Sequence, residues 1–309
     1  MSPTEQSSTS AGLFSAFTSN AYLLLVIAPL LWGGNAVAGR LAAAHWEPFT
    51  LTSVRWGVAS LILLPFAWRP LIEDWPVLKR SWPVLFVLGA FGMSLFNLFM
   101  YLALKHTTAI NASIEQASMP IFIMLLNFIF LSQRVRVLQL VGVSVTLVGV
   151  LLTATAGEPL NFFTNGLNRG DAIMLLASVF YALYTFGLRW RPKVHWMSFM
   201  WVISISAFIM TIPFASWELS RSSFELPAYP GWLILIYVVI FPTVISQLAY
   251  ARGVELIGSN RAGLFINLVP IFGSLLAVLI VGERFQWFHA AGLILVLGGI
   301  ALAERNAGR

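Results

Sequence analysis

Apolar runs of about 20 residues, each long enough to cross the ~30 Å hydrocarbon layer as a helix, recur along the whole chain with few polar letters inside them. They predict ten spans, at 21–39, 50–68, 82–103, 109–131, 137–156, 170–188, 196–217, 231–251, 261–281 and 286–303. Barrel strands would be about ten residues long and would alternate polar with apolar positions, which these runs do not. The longer connections, near 69–81, 157–169 and 218–230, hold Pro, Gly, Asn or charge and read as turns and interfacial loops. The pattern therefore predicts an all-α polytopic membrane protein.

The pattern also repeats at a nearly constant offset. His45-Trp46 returns as His195-Trp196, and Pro65-Phe66-Ala67 as Pro213-Phe214-Ala215. Pro120 returns as Pro270, Gly142 as Gly292, and Gly149 as Gly299. Residues 21–156 make a first copy of five spans and residues 170–304 a second. An odd number of spans per copy makes the second enter from the opposite face. The expectation is an inverted 5+5 repeat, with Pro159 to Gly170 as the hinge between halves. Residues 1–20 carry Ser, Thr and Glu5 but no basic residue, and read as a disordered cytoplasmic tail without a cleaved targeting signal.

Composition agrees that lipid is the solvent: 59% of residues are hydrophobic and only 10% charged, with a mean hydropathy of +0.84. Cysteine is absent, which excludes disulfides, thiolate nucleophiles and cysteine-ligated metals. A pI near 10.0 would suggest nucleic acid, but the basic residues sit in short loops, where membrane orientation explains them better. With the N terminus inside, Arg69, Lys79, Arg80, Arg134, Arg136, Arg189, Arg191, Lys193, Arg252, Arg261, Arg305 and Arg309 fall on the cytoplasmic side. Arg40, Lys105, Arg169, Arg221 and Arg284 fall opposite. Both termini are thus expected in the cytoplasm. Trp46, Trp68, Trp82, Trp190, Trp196, Trp217, Trp232 and Trp287 lie near span ends, as interfacial anchors do.

Polar groups inside spans are costly and mark a pathway or hydrogen-bonded helix contacts. Asn97 and Tyr101 share a face of the third span, and Thr243, Gln247 and Tyr250 a face of its counterpart, the eighth. The fourth carries Asn111, Glu115, Gln116 and Ser118, the ninth Asn267 and Ser274. Trp32 and Asn35 lie in the first, and Ser178, Tyr181, Tyr184 and Thr185 in the sixth. From these stripes a substrate site of Trp32, Asn35, Asn97, Tyr101, Glu115, Gln116, Tyr181, Tyr184, Gln247, Tyr250 and Asn267 is expected in a central cavity. Neutral amides, hydroxyls and rings suit a small zwitterion or amphipathic solute. Glu115 could bind an amine or exchange a proton; equally it could stay neutral, snorkel, or pair with Lys105. Arg55 reads as a helix-positioning residue that pairs or bonds carbonyls. Asp171 reads as the cap of the sixth helix, and Glu283 and Arg284 as loop contacts. Pro29, Pro120 and Pro270 break helical bonding at candidate gates, and the glycines at 142, 149, 292, 298 and 299 permit close helix packing.

Enzyme chemistry finds no support: His45, His106, His195 and His289 all lie at span ends, and Glu115 has no deep carboxylate partner in this reading. No cofactor, metal or nucleic-acid partner is implied, and without a Gly-Lys-Ser/Thr phosphate loop ATP is not used directly.

These residues carry a resemblance. Leu31-Trp32-Gly33-Gly34-Asn35, Arg55, Ala103-Leu104-Lys105 leading to Pro120, Tyr181-Ala182-Leu183-Tyr184, Pro270, Gly282-Glu283-Arg284 and the Gly-rich tenth span occur in order over residues 21–304. In this the chain resembles the drug/metabolite transporter superfamily with two EamA-type repeats, and within it bacterial exporters of aromatic and other amino acids. One departure is Ser132-Gln133-Arg134, where that family often has Gly-Glu-Arg. The resemblance implies ten helices, an inner-membrane location and amino-acid export by alternating access. Export of other small metabolites or drugs, such as quaternary amines or purines, and a channel are the competing readings.

Overall fold

The computed structural model describes residues 20–132, 137–160, 168–221, 226–258 and 262–304. The tail, Gln133 to Arg136, Arg261, Arg305 and Arg309 lie outside the described residues. Among those described, every regular element is helical. In chain order they are α1 (Ala21–Ala42), α2 (Pro48–Leu88), a π-helical segment (Gly89–Leu95), α3 (Phe96–Ala103), α4 (Ala109–Gln116), α5 (Met119–Leu131) and α6 (Val137–Ala154). The second half has α7 (Arg169–Gly187), α8 (Trp196–Arg221), α9 (Tyr229–Val239), a π-helical segment (Ile240–Ile245) and α10 (Ser246–Ile257). A 3-10 turn (Leu264–Leu268), α11 (Val269–Leu276), a π-helical segment (Ala277–Val281) and α12 (Trp287–Glu304) complete it. Among the described residues, seven helical runs are long and apolar enough to cross a membrane, and Phe265–Val281 and Trp287–Ala303 are shorter apolar helices.

One of those runs differs from expectation. The turn foreseen at 69–81 is helical, and helical bonding continues from Pro48 to Ala103. A straight helix would separate Arg55 from Asn97 by about 60 Å at 1.5 Å per residue, yet their side chains are bonded at 2.8 Å. The run therefore doubles back on itself. Its first arm lies antiparallel to α8: Thr50 meets Glu218, Gly57 meets Phe208, and the Trp201 indole donates to the Ser60 carbonyl. Asp74 reaches the start of α8, and the returning arm passes Ile203 at Gly89. Four prolines, at 65, 70, 76 and 83, lie in α2 and weaken its axial bonding where it must bend.

Carboxylates hold helix starts together across the two halves. Glu218 accepts from the Phe49 and Thr50 amides and the Thr50 hydroxyl, at 3.2, 2.7 and 2.8 Å. Asp74 in turn accepts from the His195 amide at 2.9 Å. Each satisfies amides that a helix start leaves unbonded. Glu283 does the same for Ala109 and Ile110 at the head of α4, at 2.8 and 2.9 Å, a contact between halves.

Helices α6 and α12 pack through their glycines. A Cβ on Gly142 would meet the Gly299 carbonyl at 2.5 Å, and one on Gly149 the Gly292 carbonyl at 2.9 Å. The two contacts exchange under the repeat, because Gly142 corresponds to Gly292 and Gly149 to Gly299. Gly298, grouped with these by sequence, has open space around it. Large apolar side chains such as Leu61, Phe66, Phe130, Leu279 and Ile294 face outward, while Asn35, Arg55, Asn97, Glu115 and Asp171 are buried. Apolar outside and polar inside is the arrangement lipid demands. Trp46 departs from the interfacial pattern: it is buried and donates to the Gly231 carbonyl at 2.8 Å.

Candidate functional site

The third and eighth predicted spans share an unforeseen feature. Each contains a π-helical segment at matching repeat positions, Gly89–Leu95 and Ile240–Ile245, just ahead of Asn97 and Gln247. The wider turn comes with Gly92 on one side, which leaves room for the Tyr184 ring, and with Pro242 on the other. It rotates the following side chains relative to an unbroken α-helix, and such turns recur at functional sites.

Between these segments lies Arg55, 3% exposed. Its Nη1 donates to Asn35 Oδ1 at 3.0 Å, Asn97 Oδ1 at 2.8 Å and the Tyr101 hydroxyl at 2.5 Å. Its Nε donates to the Thr243 hydroxyl at 2.8 Å. Thr243 belongs to the second π-helical segment, and its hydroxyl donates a hydrogen bond to the Val238 carbonyl at 2.6 Å. The Tyr101 hydroxyl also donates to Asn35 Oδ1, and Asn97 donates to the Met93 carbonyl. Every partner found for this cation is neutral: among the described residues the ion pairs are Lys105–Glu47 and Arg252–Glu255. A buried guanidinium held only by dipoles is a strong attractor for an anion. Arg55 is thus not paired, and it bonds side-chain oxygens from both halves rather than backbone carbonyls. Close by, the Tyr237 hydroxyl lies where a Cβ on Gly34 would be, at 2.0 Å.

The expected site residues divide into groups. Asn35, Asn97 and Tyr101 surround Arg55. Trp32 packs on Tyr250 with ring centroids 5.3 Å apart, and Tyr181 packs on Tyr184 at 5.5 Å and Phe96 at 5.1 Å. Gln247 and Asn267 are half-buried and do not join the Arg55 network. Gln116 donates to the Ala112 carbonyl, one turn back in its own helix. Glu115 is fully buried and lies against Asp171. This corrects two expectations. Asn168, not Asp171, caps α7, accepting from the Gly170 amide at 2.8 Å, and Glu115 does have a deep carboxylate partner. Lys105 pairs with Glu47 at 2.5 Å instead. Pro120 and Pro270 open α5 and α11 rather than interrupting them midway, because a turn at Ala117–Ser118 and a 3-10 turn before Val269 already divide the two runs.

The model of the EamA-like transporter family matches residues 19–155 and again 168–304. The chain belongs to the EamA-like transporter family. This family member is similar to the uncharacterized transporter YetK of Bacillus subtilis (strain 168), with 25% identity covering 91% of this chain and 85% of that one. It is also similar to the uncharacterized inner membrane transporter YicL of Salmonella typhimurium, with 25% identity covering 94% and 97%. A solved structure superposes with a TM-score of 0.64 at 23% identity, over 94% of this chain and 99% of that one, a likeness of fold. This EamA-family protein is a multi-pass membrane transporter with two EamA repeats.

Proposed function

We propose that this transporter exports amino acids, aromatic and others, across the bacterial inner membrane by alternating access between two inverted five-helix repeats, with Arg55 receiving the substrate carboxylate. The observation that carries the reading is the buried Arg55 cation, bonded to neutral groups of both halves. Its charge favours a carboxylate and disfavours a quaternary amine at the same place. The rings of Trp32, Tyr181, Tyr184 and Tyr250 offer apolar faces for the side chain. The ten-crossing count is supported by the doubled-back run Pro48–Ala103 together with the two shorter apolar helices. The antiparallel, reciprocal glycine contacts of α6 and α12 support inversion. Discontinuous helices at Pro120 and Pro270 supply bending points, joined by Pro29 within α1.

The test is flux into proteoliposomes with a panel of labelled amino acids, sugars and quaternary amines. Saturable amino-acid flux with counterflow is expected, and alanine at Asn97, Tyr101, Gln247 or Tyr250 lowers it without loss of membrane insertion. Unsaturable ion current, or flux confined to sugars or amines, overturns the reading. Unchanged flux in all four variants would make those residues helix contacts only.

A further inference from the structure

A second polar centre lies apart from Arg55, where α4, α7 and the turn before α4 meet. Glu115 and Asp171 are each 0% exposed and their carboxyl groups interact. Asp171 Oδ1 accepts from the Thr107 hydroxyl. Among the described residues, neither Glu115 oxygen, nor Asp171 Oδ2, nor Asn111 Oδ1 has a well-formed hydrogen bond. The backbone closes tightly here: a Cβ on Gly170 would meet His106 and Thr107 backbone at 2.7 Å. One helical turn before Glu115, Asn111 lines an open cleft of about 390 Å³, together with Thr108, Glu283, Arg284 and His289.

The charged and titratable groups around the pair are accounted for. Lys105 is bound to Glu47 and Glu283 to the α4 amides. His289 accepts from the Gln286 amide, and Arg284 lines the cleft. His106 touches Gly170 through its backbone, and Arg169 is exposed. No ion pair reaches Glu115 or Asp171 among the described residues. Two adjacent carboxylates without a cation repel each other strongly in a medium of low dielectric, and one shared proton removes the repulsion.

We propose that Glu115 and Asp171 together form a proton-binding site, supplied from the cleft through Asn111. Hydronium loses one O–H bond to leave water as its proton joins one carboxylate oxygen of the pair and hydrogen-bonds to the other carboxylate, and the new O–H bond breaks when the proton returns to water. Such a site gives the transporter a second cargo to exchange against its solute. The proposal rests on membership of a transporter family and on these contacts, not on the identity of the solute.

Its test starts with the proton itself. Infrared spectra of the purified full-length wild type are recorded at neutral pH and again after transfer to deuterated water. The expected result is a protonated-carboxyl band that shifts promptly in deuterated water, changes in Glu115→Gln and in Asp171→Asn, and is lost in the double variant. Thermal melting of the variants confirms folding. A wild type without such a band, or with one that does not exchange, overturns the proposal even if no variant folds. A band that persists in a folded double variant also overturns it. In proteoliposomes supplied with labelled amino acids outside, an imposed pH gradient should drive accumulation in wild type, and folded Glu115→Gln and Asp171→Asn should each lose it. Full gradient-driven accumulation in both single variants rejects the site. If no amino acid moves at all, the solute reading falls and the infrared result still decides this one.

Discussion

Replacing Arg55 by Gln tests whether the buried cation binds the substrate carboxylate. The substitution removes the charge and the planar fork that joins Asn35, Asn97, Tyr101 and Thr243. Truncating one partner of a buried, hydrogen-bonded charge pair costs about 2–5 kcal/mol, so carboxylate-bearing substrates should bind at least ~30-fold more weakly. Arg55→Lys keeps the charge but cannot reproduce the fork. Losing one charge-assisted bond costs about 1.5–3 kcal/mol, so roughly a tenfold or greater loss is expected there. The assay is competition against labelled amino-acid counterflow, comparing an amino acid with the amine formed by its decarboxylation. Wild type should prefer the amino acid, and Arg55→Gln should erase the preference chiefly by weakening the amino acid. Equal weakening of both compounds would show that Arg55 only ties helices together. Undiminished amino-acid flux in a folded Arg55→Gln variant would remove it from the site altogether.

Gly33→Ala places a methyl group 2.6 Å from the Gly273 backbone nitrogen, where no side chain can yield. It should lower stability by about 1–3 kcal/mol in thermal unfolding, whereas Gly298→Ala, with nothing within 4 Å, should leave it unchanged; equal effects would contradict the packing argument. Reporter fusions at the C terminus and after Glu158 should lie on opposite sides of the membrane, with the C terminus cytoplasmic, and matching answers would contradict the ten-crossing reading. Glu218→Ala removes the acceptor for the Phe49 and Thr50 amides and should cost about 0.5–2 kcal/mol; an unchanged unfolding temperature would mean that water replaces the carboxylate fully.

Much of this was legible because lipid simplifies the code. Apolar length locates spans, and the offset between His45-Trp46 and His195-Trp196 exposes the repeat without reference to contacts. Single-helix spacing was enough to gather Asn97 with Tyr101, and the repeat to match Pro120 with Pro270. The charges were another matter. Whether Arg55 pairs with an acid, bonds carbonyls or stands alone depends on which helices converge on it, and Thr243 lies 188 positions away. Asp171 sits next to a helix start, so local rules make it a cap. Only the packing of Gly170 against Thr107 carries it inward to Glu115. The helical continuation through 69–81 was hidden for a related reason. Its Pro and charged letters signal a turn, and they do mark where the chain reverses, but the reversal is made within helical backbone. The signals that could have flagged the site were the only clearly intramembrane arginine and the Gly89, Gly92 and Pro242 positions that accompany the π-helical segments.

The Arg55 centre also bears on why a carrier fits better than a pore. Burying a cation without a counter-charge costs several kcal/mol, and the four neutral oxygens around Arg55 offset only part of it. On the proposed reading a carboxylate arriving there offsets the rest, so the site closed around substrate is stabilised more than the same site closed and empty. A ligand moves a conformational equilibrium only through such a difference. Asn35, Asn97 and Tyr101 belong to the first repeat and Thr243 to the second, so tightening on a bound anion acts on both halves at once. A pore needs its ions to pass without that commitment. On the proposed reading, the charge that selects the solute is placed where it also joins the two halves.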